Sequence, residues 1–227
     1  MSTLEAIDVS KVYATRGVVT HALAHIDLII DEGEFTALAG PSGSGKTTLL
    51  NLLGALDEPS EGRIFLDGEC LADLNSAQLS ELRLRKLGFV FQAYNLIPVF
   101  SAAENIEFVM ELQGVSKTER RARTLELLKE VELEGLGDKR PLEMSGGQQQ
   151  RVAVARALAS RPRVILADEP TANLDSKTAE RLLELMYELN QKHGITFLFS
   201  SHDPLVLEKA RRRVLLRDGR IDATEEG

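Results

Sequence analysis

The sequence predicts one α/β domain, built on parallel strands buried on both faces, with a helical insertion and a more antiparallel lobe near the N-terminus. Three observations predict it. A wholly apolar run at 164–167 and a largely apolar one at 195–200 alternate with helical segments in the last third of the chain, the pattern of strands covered on both sides. A strand-like run at 35–39 leads through a glycine-rich loop straight into a helix at 47–53. Before and after that unit, strand-like runs are separated by Gly, Asp and Pro turns rather than by helices. The 227 residues suffice for one sizeable core. The expected extent is a single domain over 1–227, with 1–92 and 161–227 forming the core and lobe and 93–160 a helical subdomain.

Taken in order, the strand-like runs are 4–12, 24–30, 35–39, 64–66 and 87–91, with turns at 31–33 and 67–68. From about Ser101 to Ser160 the pattern turns helical. Over 117–133, Leu125, Leu128 and Val131 recur at helical spacing beside a charged face, and Ser116 can cap that helix. A helix over 148–159 follows, with Ser145 as a good N-cap. Then come a strand at 164–167, an amphipathic helix at 176–193, a strand at 195–200, a short helix at 204–212 and a closing strand at 214–221. Arg211, Arg212 and Arg213 read as solvated cations at a helix end, with a membrane or partner contact as the alternative.

Composition narrows the function classes. A chain with 43% hydrophobic and 27% charged residues is globular, not disordered or fibrous. The net charge of −8, without a long run of either sign, argues against a nucleic-acid partner, which needs clustered cations. Cys70 is the only cysteine, so an internal disulfide and a Cys-rich metal site are excluded and a reducing cytoplasm is the natural compartment. The N-terminal segment MSTLEAIDVSKVYATRG lacks the apolar core of a signal peptide. No apolar stretch approaches the roughly 20 residues of a span, so a membrane role is expected only through a partner.

Gly40, Pro41, Ser42, Gly43, Ser44, Gly45, Lys46 and Thr47 fit G-x-x-x-x-G-K-[ST] in full, between a strand and a helix as the motif requires. The glycines let the backbone curl round an anion, while N–H groups and the helix N-terminus point at the β-phosphate. Lys46 would bridge the β- and γ-phosphates, Thr47 would ligate Mg²⁺, and Thr48 follows within the nucleotide contact. The bare pattern arises by chance in roughly one chain in a hundred of this length, and the strand–loop–helix context lowers that further. A second motif is the apolar run at 164–167 ending in Asp168 and Glu169. Alone, such an ending is more often a turn. Beside a phosphate loop, Asp168 becomes the candidate for organising Mg²⁺ and Glu169 for polarising the attacking water. Both motifs end strands, where ligands of such sheets lie.

Met144, Ser145, Gly146, Gly147 and Gln148 open a second helix with a hydroxyl, two glycines and a helix dipole, a second anion-binding arrangement. Capping explains Ser145, but a cap alone does not need two glycines. Running on through Gln149, Gln150 and Arg151, this segment resembles the signature motif of the ABC (ATP-binding cassette) ATPases. The resemblance covers nearly the whole chain. It implies a P-loop NTPase fold of the ABC type, with a mixed core sheet, a helical signature subdomain and an antiparallel β lobe. Met144 stands where the family usually has Leu, a flexible apolar exchange of little consequence.

The resemblance further implies a head-to-tail homodimer, in which the signature of one copy covers the ATP held by the phosphate loop of the other. Tyr13 matches the aromatic that stacks on adenine, with sheet packing as its alternative role. Gln92 matches the glutamine that senses Mg²⁺ and the partner, Asp175 the residue contacting the opposite subunit, and His202 the switch histidine at the γ-phosphate. The implied activity is ATP hydrolysis coupled to transport, with transmembrane permease subunits as further partners. The implied location is cytoplasmic, peripheral on the cytoplasmic face of the inner membrane.

The segments 87–92 and 172–175 look like the bacterial group of lipoprotein-releasing and macrolide-export ATPases. In that group the surface at 93–103 would receive a short cytoplasmic helix of the membrane partner. The alternatives are a cell-division ATPase regulating cell-wall hydrolysis and a soluble, non-transport ABC ATPase. The segment between Gln92 and Met144 holds no sustained heptads, and the chain carries one cassette, which disfavours the DNA-repair and translation-factor types. Intact Lys46, Asp168, Glu169 and His202 disfavour a cassette that only binds.

Overall fold

The computed structural model describes residues 2–15 and 18–226. Met1, Arg16, Gly17 and Gly227 lie outside the described residues, and with them both ends of the expected 1–227 extent and part of the segment read for a leader. Two long strands, β1 (Ser2–Thr15) and β2 (Val18–Asp31), pair antiparallel and start the chain. Then follow β3 (Phe35–Ala39), α1 (Lys46–Leu53), β4 (Glu61–Leu66), the two-residue β5 (Glu69–Cys70) and α2 (Ser76–Lys86). The middle holds β6 (Leu87–Phe91), α3 (Ala102–Leu112), α4 (Lys117–Glu130) and α5 (Gly146–Ala159). The rest is β7 (Val164–Asp168), α6 (Ser176–His193), β8 (Thr196–Ser200), α7 (Pro204–Lys209), β9 (Arg212–Arg217) and β10 (Arg220–Glu226).

The strands form two sheets, a four-stranded one ordered β2-β1-β4-β5 and a six-stranded one ordered β10-β9-β3-β8-β7-β6. The first is antiparallel throughout. In the second, β9, β3, β8, β7 and β6 are mutually parallel and β10 closes one edge antiparallel. Successive side chains of a strand point to opposite faces, and here both faces are apolar. Phe35, Ile165, Ala167, Phe197 and Phe199 pack with α3, α4, α5 and α6 on one side. Leu38, Val164, Leu166 and Leu198 pack with α1 and the antiparallel sheet on the other. Parallel order puts the carboxyl ends of β3, β6, β7 and β8 on one rim, and each is followed by a motif.

Several elements differ from the sequence reading. Helix α2 is missing from it because only Leu82 of that segment is buried, so no apolar stripe announces it. Its one legible signal is the capping box of Asn75 and Gln78. In α4 the buried positions are Thr124, Leu127 and Leu128, whereas Leu125 is 63% exposed. The helix at 204–212 stops at Lys209, and the closing strand is a hairpin, turned at Asp218 and Gly219, both with positive φ.

The arginine triplet is therefore no solvated helix end. Arg212 donates to the Ile29 carbonyl and to both Glu34 oxygens. Arg211 donates to the Tyr187 hydroxyl and Arg213 to the Leu207 carbonyl.

Candidate active site

The loop between β3 and α1 is shaped by its glycines. Gly45 is the N-cap of α1 at φ 104°, and a Cβ there would lie 2.7 Å from the Ala22 carbonyl oxygen of β2. Only glycine allows that conformation and that approach. No side chain caps α1, and no acid sits in its first turn, so its first N–H groups and positive dipole end face the cavity. Lys46 is buried, and its ammonium donates to the Gly40 and Pro41 carbonyls at 2.7 and 3.0 Å.

A cavity of about 600 Å³ opens above this loop, lined by Pro41, Lys46 and Thr47 with Gln92, Glu169 and His202. The parallel sheet explains the meeting, because the loops after β3, β6, β7 and β8 all emerge on that rim. At its floor Thr47 Oγ1 donates to Asp168 Oδ1 at 3.1 Å. Glu169 leaves β7 with φ 44°, its N–H bonded to the Ser200 carbonyl at 2.8 Å. Its carboxylate accepts from Ser201 Oγ at 3.0 Å and pairs with His202 Nδ1 at 2.7 Å. A carboxylate is an acceptor, so Nδ1 carries the proton in that contact and Nε2 is the outward nitrogen. The wall also includes Thr20, His21 and Ala22 of β2, which the sequence reading omits, and Ala172. No motif marks the three β2 residues, since strand β2 reaches the loop only through tertiary packing.

Tyr13 lies to one side of this wall. Its hydroxyl donates to Asp57 Oδ2 at 2.7 Å, and the Lys11 ammonium stands 4.8 Å from its ring centroid. Burial first, then the Asp57 carboxylate, raises the Tyr13 pKa. Burial would raise Asp57, but hydrogen bonds from Lys11 and Tyr13 outweigh it and hold that carboxyl below the usual range. A base stacking on Tyr13 must use the face away from Lys11 or displace it.

The other named residues do not line this cavity. Ser145 caps α5, accepting from the Gln148 N–H at 3.3 Å while Gln148 Oε1 accepts from the Ser145 N–H at 2.9 Å. A Cβ on Gly147 would sit 2.5 Å from Thr178 Cγ2, and one on Gly146 2.8 Å from the Tyr94 hydroxyl. Both glycines thus lie close to side chains of their own chain, a packing role that stands beside the anion reading. Asp175 caps α6 through the Thr178 hydroxyl and N–H, bonds that lower its pKa. Two side chains join this region to the cavity rim. The buried Gln150 donates to the Pro170 carbonyl at 2.7 Å and the Phe91 carbonyl at 3.4 Å, and Asn173 donates to the Gln92 carbonyl at 2.9 Å.

The residues present fit a divalent cation of the Mg²⁺ kind. The Thr47 hydroxyl and the Asp168 carboxylate are hard oxygen donors already side by side, and such ions need only one or two protein oxygens when phosphates supply others.

Comparison with known proteins identifies the family. The family profile described as ABC transporter matches residues 23–172. An ABC transporter ATP-binding protein of Methanocaldococcus jannaschii, MJ0796, is 45% identical over 96% of this chain and 95% of its own length. Its dimeric structure in a post-hydrolysis state, bound to ADP and Pi, superposes with a TM-score of 0.90 at 44% identity over 98% of both chains. The lipoprotein-releasing system ATP-binding protein LolD of Anaeromyxobacter dehalogenans is 46% identical over 97% of this chain and 93% of its own. The macrolide export ATP-binding/permease protein MacB of Syntrophobacter fumaroxidans is 45% identical over 98% of this chain, which spans 31% of that longer protein.

Proposed function

The chain belongs to the ABC transporter family, and from that premise we propose how its residues divide the work of a transporter's ATPase. It is an ATP-binding, ATP-hydrolysing cassette that dimerises and drives a transmembrane partner. The observation that carries the assignment of roles is the single cavity in which the phosphate loop meets Gln92, Glu169 and His202.

Phosphoryl transfer is mainly positioning and neutralisation of charge. Lys46 exchanges its two loop carbonyls for β- and γ-phosphate oxygens, and the α1 N-terminus holds the β-phosphate. Thr47 and Asp168 would hold Mg²⁺ with Gln92 nearby, and the ion when bound neutralises phosphate charge. Glu169 accepts a proton from the attacking water, and His202 reaches from Glu169 toward the γ-phosphate. Tyr13 receives the adenine at the edge of the site.

Ser145, Gly146, Gly147, Gln148 and Asp175 serve the nucleotide of the second copy, because none of them lines the cavity of their own chain. The hydrolysis rate per chain should then rise with concentration before reaching a plateau. A rate per chain that is constant from the most dilute sample upward would remove the two-chain site.

Among the described residues no helix is long and apolar enough to cross a membrane. The reading is a peripheral subunit on the cytoplasmic face, held by a permease that receives force at 93–103. The kinship with LolD and MacB supports lipoprotein extraction or export as its class of work. Copurification from solubilised membranes would identify the permease, whereas recovery with ribosomes or DNA alone would end the transport reading.

A further inference from the structure

We infer that the Ser201 hydroxyl is the group that positions the Glu169 carboxylate, a role that rests on Glu169 activating the attacking water. Glu169 is a long side chain on a turned backbone. Its main chain is held in the left-handed region at φ 44° by the N–H bond to Ser200, but its side-chain torsions must be ordered at the far end. Two groups do that, and they differ. His202 pairs with Oε1, yet its side chain is 70% exposed. Ser201 donates to Oε2 and is completely buried.

The direction of the Ser201 bond is determined by its neighbours. Its Oγ accepts the Asp203 N–H at 3.1 Å. A hydroxyl has one proton, and here that proton is directed at Glu169. The donor stabilises the carboxylate as an acceptor and holds Oε2, so that Oε1 can receive a water once His202 turns away from it.

Asp203 is itself pinned from two sides. Oδ1 accepts the Leu205 N–H at 3.0 Å, and Oδ2 accepts from the Thr171 hydroxyl at 2.9 Å. Thr171 is buried and lies two residues after Glu169. Chain and hydrogen bonds therefore close a ring through Glu169, Thr171, Asp203 and Ser201, joining the loop after β7 to the loop after β8. His202 can turn toward a nucleotide without releasing Glu169, because Ser201 keeps its hold.

The test compares Ser201→Ala, Ser201→Thr and Thr171→Val with wild type and with Glu169→Gln, measuring kcat and KM for ATP and the melting temperature of each. Removing a hydrogen bond to a charged group should lower kcat of Ser201→Ala by about tenfold to a hundredfold with KM unchanged. Ser201→Thr, which keeps the hydroxyl, should recover most of it. Thr171→Val should lower kcat less, again at constant KM, and it decides the matter by the same readout should Ser201→Ala fail to fold. Wild-type kcat in Ser201→Ala beside an inactive Glu169→Gln overturns the role of Ser201 and leaves that of Glu169 intact. A fall in kcat matched by a rise in KM and a lower melting temperature, unrescued by threonine, overturns it in favour of packing alone. Normal turnover in Glu169→Gln removes the role of Glu169 itself, and this one with it.

Discussion

Two helix starts in this chain carry glycine, and the proposed function gives both a phosphate to meet, yet their own N–H groups are treated in opposite ways. Helix α1 begins at Gly45 with no side-chain cap. Helix α5 begins at Ser145 inside a closed capping box. Among the described residues, the other α-helices are capped by Asn75, Ser101, Ser116, Asp175 and Asp203, so α1 is the exception. A helix start that keeps an anion within its own chain can leave its donors open, because the ligand satisfies them. A start that serves a neighbouring copy spends time without its ligand and must be stable alone. Ser145 manages both, since its cap uses the oxygen as acceptor and leaves the hydroxyl proton for an anion.

The largest effect that could break this contrast is a test in trans. Lys46→Ala disables the open start and Ser145→Ala the capped one, and each variant alone should lose nearly all ATPase activity. Mixed in equal amounts they should regain up to about a quarter of the wild-type sites, because random two-fold pairing makes half the dimers mixed, each with one intact site. No recovery on mixing would mean that both starts serve the same chain's nucleotide.

A smaller effect sharpens it. As a cap, Ser145 contributes about 1 kcal/mol, so Ser145→Ala without nucleotide should melt about 2–4 °C lower. An unchanged melting temperature would show that the cap is idle in the free chain.

The smallest concerns the tie between the helical segment bearing Ser145 and the core bearing Gly45. Glu130, the last residue of α4, accepts from Lys192 and pairs with His193 at the end of α6, both at 2.9 Å. Burial would raise its carboxyl, but the bonds from Lys192 and His193 outweigh burial and lower it. A carboxyl lowered in the folded state stabilises that state above its unfolded value, about 4.3, and ceases to as pH falls through the folded value. Glu130→Gln should therefore melt about 1–3 °C below wild type at neutral pH, the gap closing below roughly pH 4. A gap that persists in acid would assign the difference to packing.

Legibility followed the range of the interaction. Helix α6 was readable to its ends because an apolar stripe, an Asp cap and a terminal Gly all lie within its own segment. Helix α2 was not, because it rests on the rest of the fold through little more than Leu82. The hairpin of β9 and β10 was legible in the Asp218-Gly219 pair, a favoured hairpin turn, although the expected closing strand ran straight through it. At the site, Lys46, Thr47, Asp168 and Glu169 stand out in the sequence because each sits in a local pattern of strand and loop, whereas His202 is marked only by the family resemblance. Ser201, Asp203 and Thr171 belong to no such pattern, and a buried hydroxyl announces itself only through its partners.

By itself the sequence determined the alternation of strand and helix, the phosphate loop, the acids at the end of β7 and the caps, all set by spacing within a few residues. Only the tertiary structure decided which of these share a cavity. The order β3-β8-β7-β6 sets Lys46, Gln92, Glu169 and His202 on one rim and leaves Ser145 off it. That order follows from burying both faces of the sheet at once, a condition on the whole chain that no short segment can express.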